Sequence, residues 1–415
     1  MNNHTKSVYR ATRYMLTLVF ACILFASCKK DKHEVEVDVY AEVDNVVLVY
    51  MAAENNLCSY ADDDIYEMCV GARKMSKRDR VIVYVDDIDS PRIYELRDTT
   101  QYKYLTPVKT YSTDWMSTSA EALSNVMTFV HSNYKADNYG IVFWSHADGW
   151  LPERAAMSKT RSFGIDNGKN EGNNDVSTEN SQMSIEKMAS VLQSFPKSKF
   201  IMFDACLMQC IECDYALRNC ADYIIASPGE IPGYGAPYHK IIPLVFSTSF
   251  NPVDIAKEYN NYYDYEVEEN YRDGVILSVV DCSQLENLAS ATAVVISQFG
   301  KNDISGVADY YNFQSESATN PRFYDFREII RSWCTDEDIY QQWLSAYNKT
   351  VVYTGGTQWF SLYIGYGGDF AYIKDKENCG YVSMYFPKDI HATLNKWYEQ
   401  NEWYKAAWGG VKWWN

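Results

Sequence analysis

Phe200-Ile201-Met202-Phe203-Asp204-Ala205-Cys206 is an unbroken apolar run of strand length that stops on an acid and a thiol. It does not alternate between polar and apolar residues, so the strand is buried on both faces, as in a parallel sheet. Five other runs share this character: Val46 to Met51, Val81 to Val85, Gly140 to Trp144, Tyr223 to Ala226 and Val275 to Val280. Stretches of helical spacing lie between them. Tyr60 to Lys74 places Ile65, Met68, Cys69 and Ala72 on one face, and Ser119 to Asn133 places Ala122, Val126, Phe129 and Val130. Ser184 to Ser194 does the same with Ile185, Met188, Ala189 and Leu192. Strands alternating with helices predict an α/β fold, a mostly parallel sheet flanked by helices.

Outward from this core the chain changes character. Residues 1–28 read as a lipoprotein signal peptide. Lys6, Arg10 and Arg13 precede the apolar run Met15 to Ala26, too short to span a bilayer, and Phe25-Ala26-Ser27 leads into Cys28. Small residues before a cysteine resemble a bacterial lipoprotein cleavage site, in which that cysteine carries the lipid. This predicts an exported chain, anchored through Cys28 to the cell envelope. Residues 29–44 are a charged tether, and the predicted main α/β domain spans 45–300. Within it, residues 151–183 are rich in Gly, Asn, Ser and charge, which predicts a mobile insertion. Residues 301–415 form a smaller, aromatic-rich part expected to pack on that domain. It comprises a helical stretch near 322–348 and the strand-like runs Trp359 to Ile364 and Tyr381 to Phe386.

The 415 residues carry a formal charge of −17, which becomes −20 once residues 1–27, with three basic and no acidic residues, are removed. An acidic body disfavours nucleic acid and anionic lipid as partners and suits cationic ones. Tyr, Trp and Phe make up 15% of the chain, which packing accounts for in the main. Nine cysteines follow Cys28, an odd number, so pairing would leave at least one thiol over.

In open α/β sheets, sites form beyond the carboxyl ends of the parallel strands. Three polar segments fall there: Ser145-His146-Ala147-Asp148, Asp204-Ala205-Cys206, and Ser227-Pro228-Gly229-Glu230. A thiol attacks a carbonyl only as thiolate and needs a base or a depressed pKa. His146 alone among the six histidines stands at such a strand end. A helix is expected to begin at Cys206, which would favour the thiolate. Asp204, two residues earlier, either lines a pocket for a basic side chain or caps that helix. Glu230 is the other candidate for the pocket. Cys206, Cys210 and Cys213 have C-x3-C-x2-C spacing, as in radical enzymes that hold an iron–sulfur cluster with S-adenosylmethionine, but on one helix it is also the spacing of a buried face, the reading favoured here.

These segments resemble the clostripain family of cysteine peptidases, whose fold is that of caspases, legumain and gingipains. The resemblance rests on Val49-Tyr50-Met51-Ala52-Ala53-Glu54-Asn55-Asn56-Leu57, Ser145-His146 and Asp204-Ala205-Cys206-Leu207-Met208-Gln209. Gly233-Tyr234-Gly235-Ala236-Pro237-Tyr238 and Val382-Ser383-Met384-Tyr385-Phe386-Pro387 extend it. It implies an endopeptidase that cuts after Arg, or Lys, in protein or peptide substrates. Cys206 is the nucleophile and His146 the base. Asp204 matches the basic-substrate pocket, and the backbone N–H groups of Ala147 and Cys206 are the oxyanion donors. It also implies activation by cleavage between the His and Cys segments. Lys159 and Arg161 are the expected processing points, with Arg154 and Lys169 in the same insertion. No cofactor is required for this chemistry, although clostripain itself uses Ca²⁺. Asp62-Asp63-Asp64 is the run that such an ion would find, or else a solvated helix start. The family usually has Gly after the catalytic His, and this chain has Ala147. That departure leaves room for a surface-anchored binding lipoprotein on the same fold, or for a transpeptidase or amidase using Cys and His.

Overall fold

The computed structural model describes residues 42–112, 114–151, 162–168, 182–267, 274–307, 309–310, 322–357, 359–361, 370–372 and 379–414. Cys28, most of the tether, Lys159, Arg161, Arg154 and Lys169 lie outside them. The apolar runs form strands: β1 (Asn45–Ala52), β2 (Asp79–Asp86), β3 (Arg92–Leu96), β4 (Lys109–Thr110), β5 (Asn138–Trp144), β6 (Ser198–Asp204), β7 (Ala221–Ala226) and β8 (Ile276–Asp281). With the strand Val351–Gly356 they make a nine-stranded sheet in which β7, β6, β5, β1 and β2 are neighbours in that order and mutually parallel. β3, β4, β8 and Val351–Gly356 add antiparallel edges.

Two apolar layers cover the sheet. Leu48, Tyr50, Ile141, Phe143, Ile201 and Phe203 face one way, and Val47, Val49, Met51, Val142, Trp144 and Met202 face the other. β1, β2, β5 and β6 therefore bury both alternate sets of side chains along most of their length, as the unbroken apolar runs require. Helices Ala120–Asn133, Ile185–Leu192 and Leu285–Phe299 cover the first face, and Cys58–Ala72, Tyr238–Val245 and Pro252–Tyr265 the second. Ser119 and Ser184 cap their helices by accepting from Ala122 N and Lys187 N.

The structure refines these expectations in several places. β8 pairs antiparallel with β7, because an apolar run reports burial and not direction. Val351–Gly356 joins the main sheet, and Trp333, Trp343, Trp403 and Trp408 enter the same core as Ile141 and Phe203. Residues 162–168 and 182–183 are not exposed insertion. Phe163 pairs with Ala147 and Met183 and packs its ring on Phe143 at 5.3 Å. The expected helix near 322–348 is two, Phe326–Trp333 and Glu337–Thr350, the second capped by Asp336. No helix of the described residues is long and apolar enough to cross a membrane.

Candidate active site

The parallel strands run 2-1-3-4-5 across the sheet when renumbered among themselves, so chain order reverses between β1 and β5. A crevice opens outside the carboxyl ends at such a switch point. β1 leads there into Glu54, Asn55 and Asn56, and β5 into Ser145 and His146. Ala52 O, at the end of β1, accepts from Ser145 Oγ at 2.7 Å and from Asn55 Nδ2 at 2.9 Å, locking the two exits together. Asn55 Nδ2 also donates to Ile165 O at 2.9 Å, binding the buried 162–168 segment to the same corner.

His146 is half-buried, and its Nε2 lies 2.6 Å from Asn56 Oδ1. An amide oxygen only accepts, so in this pairing Nε2 carries the proton, and the neutral ring keeps its lone pair on Nδ1. Asn56 is a residue that sequence reasoning passed over. Its only signal was its place in the Val49 to Leu57 stretch, since an exposed Asn after a strand reads as a turn.

β6 delivers Asp204 and Cys206. No helix begins at Cys206. Leu207 adopts φ +63, its N–H donates to Gly229 O at 2.8 Å, and Gln209 N donates to Ser227 O at 2.9 Å. The chain is held against the loop after β7 until helix Ile211–Leu217, where Cys210 is the N-cap residue. The thiol therefore gains no helix-dipole stabilisation, Asp204 caps nothing, and the three cysteines of the C-x3-C-x2-C spacing share no helix. All nine described cysteines are free thiols, and Cys206 is among the two that are not buried. Ile231 N approaches Cys206 Sγ at 3.4 Å. Although the residue is only partly covered, the protein around Sγ shields it from water and pushes this thiol well up, and the negative charges of Glu230, Asp148 and Asp204 push it further.

Asp204 is 3% exposed and accepts three hydrogen bonds, from Ala236 N (3.0 Å), Tyr238 OH (2.8 Å) and Tyr259 OH (2.9 Å). Asp64 lies just behind it and accepts from Trp144 Nε1 at 2.7 Å. Burial and the neighbouring Asp204 raise the Asp64 carboxyl well above the ordinary range. Asp62 and Asp63 are exposed on helix Cys58–Ala72 while Asp64 points inward, so the run does not converge on one ion.

Asp204, Cys206, His146, Ala147, Asp148, Glu230, Trp144 and Gly235 line one cavity of 150 Å³. Among the described residues, neither the Ala147 N–H nor the Cys206 N–H meets a protein acceptor; the bridge between Ala147 and Phe163 is closed by Asp148 N to Ser162 O and Gly164 N to His146 O. A larger depression of 1070 Å³ sits at the amino ends of the same strands, around Asn45, Gly140 and Phe200, and is lined by no cysteine or histidine. The carboxyl ends are the place for chemistry.

A mixed sheet with a thiol and an imidazole at neighbouring strand ends is the architecture of a cysteine peptidase. The chain belongs to the clostripain family, whose model matches residues 49–414. It is similar to a secreted C11 cysteine protease from Bacteroides thetaiotaomicron in complex with an irreversible peptide inhibitor, at 31% identity and a TM-score of 0.75 over 88% of this chain and 99% of that one. An inactive zymogen C11 protease from Parabacteroides distasonis is similar at 27% identity and a TM-score of 0.75, with the same coverage. No curated protein matches the chain significantly.

Proposed function

We propose that this peptidase is an endopeptidase that cuts after Arg or Lys by a Cys206–His146 dyad. The observation that carries this reading is the single cavity in which the thiol, the imidazole and the carboxylates of Asp204, Glu230 and Asp148 meet. His146 Nδ1 takes the thiol proton, and Sγ attacks the peptide carbonyl carbon. The N–H groups of Ala147 and Cys206 hold the oxyanion; one such donor is worth about 10²–10³ in rate. Collapse passes the proton from His146 to the leaving amine, and water then hydrolyses the thioester.

The same carboxylates that keep the thiol protonated would pair with a basic substrate side chain. Binding such a side chain cancels their charge and lowers the cost of forming the thiolate. Selectivity and activation are then one electrostatic event. Losing one partner of such a buried pair costs roughly 2–5 kcal/mol.

An irreversible electrophilic peptide with Arg before the warhead tests this reading. It should label the mature protein at Cys206 and fail with Cys206→Ala and His146→Ala, and a neutral residue in place of Arg should slow labelling at least tenfold. Equal labelling by both probes would remove the basic pocket from the reading, and labelling elsewhere would remove the nucleophile. We further propose that the enzyme processes itself after Lys159 or Arg161, the side chains its own pocket accepts. New amino termini after those residues, absent from Cys206→Ala, are expected on incubation. Full activity in an uncut chain would sink the activation step alone.

A further inference from the structure

The loop after β7 runs Ile231-Pro232-Gly233-Tyr234-Gly235, and each of these residues except Tyr234 lines the cavity that holds Asp204 and Cys206. Tyr234 turns its ring outward and is 63% exposed. The loop beneath it is pinned. Gly235 N donates to Pro232 O at 3.0 Å, Gly235 O accepts from Tyr263 OH at 2.7 Å, and Ala236 N donates to Asp204 Oδ2 at 3.0 Å. Among the described residues the ring meets one other, that of Tyr60, edge-on with centroids 5.4 Å apart and planes at 86°. Gly233 lets the loop lie this close, since a Cβ there would stand 3.3 Å from Tyr60 Cε2. The Tyr234 hydroxyl has no hydrogen-bond partner among the described residues, so ring packing alone places the side chain.

Tyr234 is also next to Gly235, where an added Cβ would stand 2.7 Å from Asp204 Oδ2. Consecutive Cα atoms are only about 3.8 Å apart. Asp204 Oδ1 accepts from Tyr259 OH and keeps a further lone pair. A basic side chain drawn to Asp204 therefore comes within reach of the Tyr234 ring. The two basic side chains differ in what a ring offers them. A guanidinium is planar, delocalised and weakly hydrated, so it stacks on an aromatic face while its edge donates to a carboxylate. An ammonium is compact and strongly hydrated, and gains less from the ring. The same preference is visible elsewhere in the chain. Arg218 and Arg331 hold their guanidinium carbons 3.9 and 4.3 Å from the ring centroids of Tyr215 and Tyr340, whereas among the described residues no lysine ammonium is placed nearer than 4.6 Å to a tyrosine ring.

We propose that Tyr234, propped by Tyr60, makes this peptidase prefer Arg to Lys before the cut, by stacking its ring on the guanidinium as the side chain enters the Asp204 cavity. This rests on the basic pocket of the preceding section and adds the residue that discriminates within it. Asp204 supplies the charge that both side chains use, and the ring supplies the difference between them.

The test uses the mature protein and peptide substrates that differ only in Arg, Lys or norleucine before the cut. The parent should show a higher kcat/KM on Arg than on Lys. Tyr234→Ser should lower the Arg-to-Lys ratio by about fivefold or more, most of the loss falling on Arg. Tyr234→Phe should keep the ratio, because the ring acts and the hydroxyl does not. Both substitutions fall on an exposed side chain, so melting temperatures close to the parent's are expected and show that the fold is kept. A parent that cuts after Lys as well as after Arg, a ratio unchanged in Tyr234→Ser, or a ratio lost equally in Tyr234→Phe would overturn the proposal and leave the basic pocket standing. A parent that turns over none of the peptides, or cuts after norleucine as fast as after Arg, would overturn the pocket and this proposal with it.

Discussion

Asp64 and Asp204 bring two carboxyls to within 3.3 Å of the point where a Cβ on Gly235 would stand. Asp204 has three donors to hold its charge, whereas Asp64 has the Trp144 indole. Of the two, Asp64 is raised well above the ordinary carboxyl range, by burial and by Asp204, and is where a proton costs least. A carboxyl raised in the folded state contributes stability that is fully present below its unfolded pKa, near 4, and is lost as pH rises through the folded value. Asp64→Asn removes that dependence, because the amide oxygen can still accept from Trp144. At pH 7.5 the variant should therefore melt a few degrees above wild type, each unit of raised pKa being worth about 1.4 kcal/mol. At pH 4 the two should melt together. Thermal melts across this range decide it, and a variant that melts lower at every pH would show that the carboxylate is needed for packing rather than tolerated. This role was not legible in the sequence, where Asp64 stands in a run of three aspartates that looks like solvated surface. By contrast, the placement of Cys206, His146, Asp204 and Glu230 at one end of the sheet was legible, because each ends or follows a strand that its apolar run announces.

Gly235 shows how an element end can shape a pocket. Its φ of +62 is open to Gly at little cost, and an added Cβ would stand 2.7 Å from Asp204 Oδ2. Gly235→Ala should destabilise the protein by about 1–3 kcal/mol and depress kcat/KM on Arg substrates, as Asp204 is pushed from the cavity. Gly410→Ala is the control, with φ +85 but open space around it, so it meets the backbone cost alone. Melting and kinetics of the two variants separate the effects; equal losses in kcat/KM would mean that the Asp204 contact is immaterial. Among the elements, β1, β2, β5, β6 and β7 were readable because burial on both faces leaves an unmistakable apolar run. β8 was readable as a strand but not in direction. The 162–168 segment was not readable at all. Ser162, Asp166 and Asn167 are polar yet buried, and their hydrogen bonds to distant residues leave no local pattern. The helix expected at Cys206 failed for a similar reason, since Leu207 and Gln209 bond to the loop after β7 instead of to their own turn.

At the scale of the molecule, an acidic catalytic body would need a specific means of staying at a membrane. The family match begins at residue 49, and no helix of the described residues can span a bilayer. Electrostatics gives no help, because a formal charge of −20 after removal of residues 1–27 repels anionic lipid. We propose that attachment rests on lipid carried by Cys28. Acyl chains hold a protein by about 0.8 kcal/mol per buried CH₂, and stable anchoring takes more than one chain. Such binding is hydrophobic, so wild-type protein should stay in the membrane fraction through a high-salt wash and leave it only in detergent. Cys28→Ser removes the thiol to which lipid is attached, and no second signal on this acidic chain replaces it. The variant should appear in the soluble fraction with its peptidase activity unchanged per molecule, since residue 28 precedes the stretch that the family match covers. Fractionation with and without salt measures this directly. Membrane retention of Cys28→Ser through the salt wash would place the anchor elsewhere, and release of wild type by salt alone would replace the lipid with a charged partner.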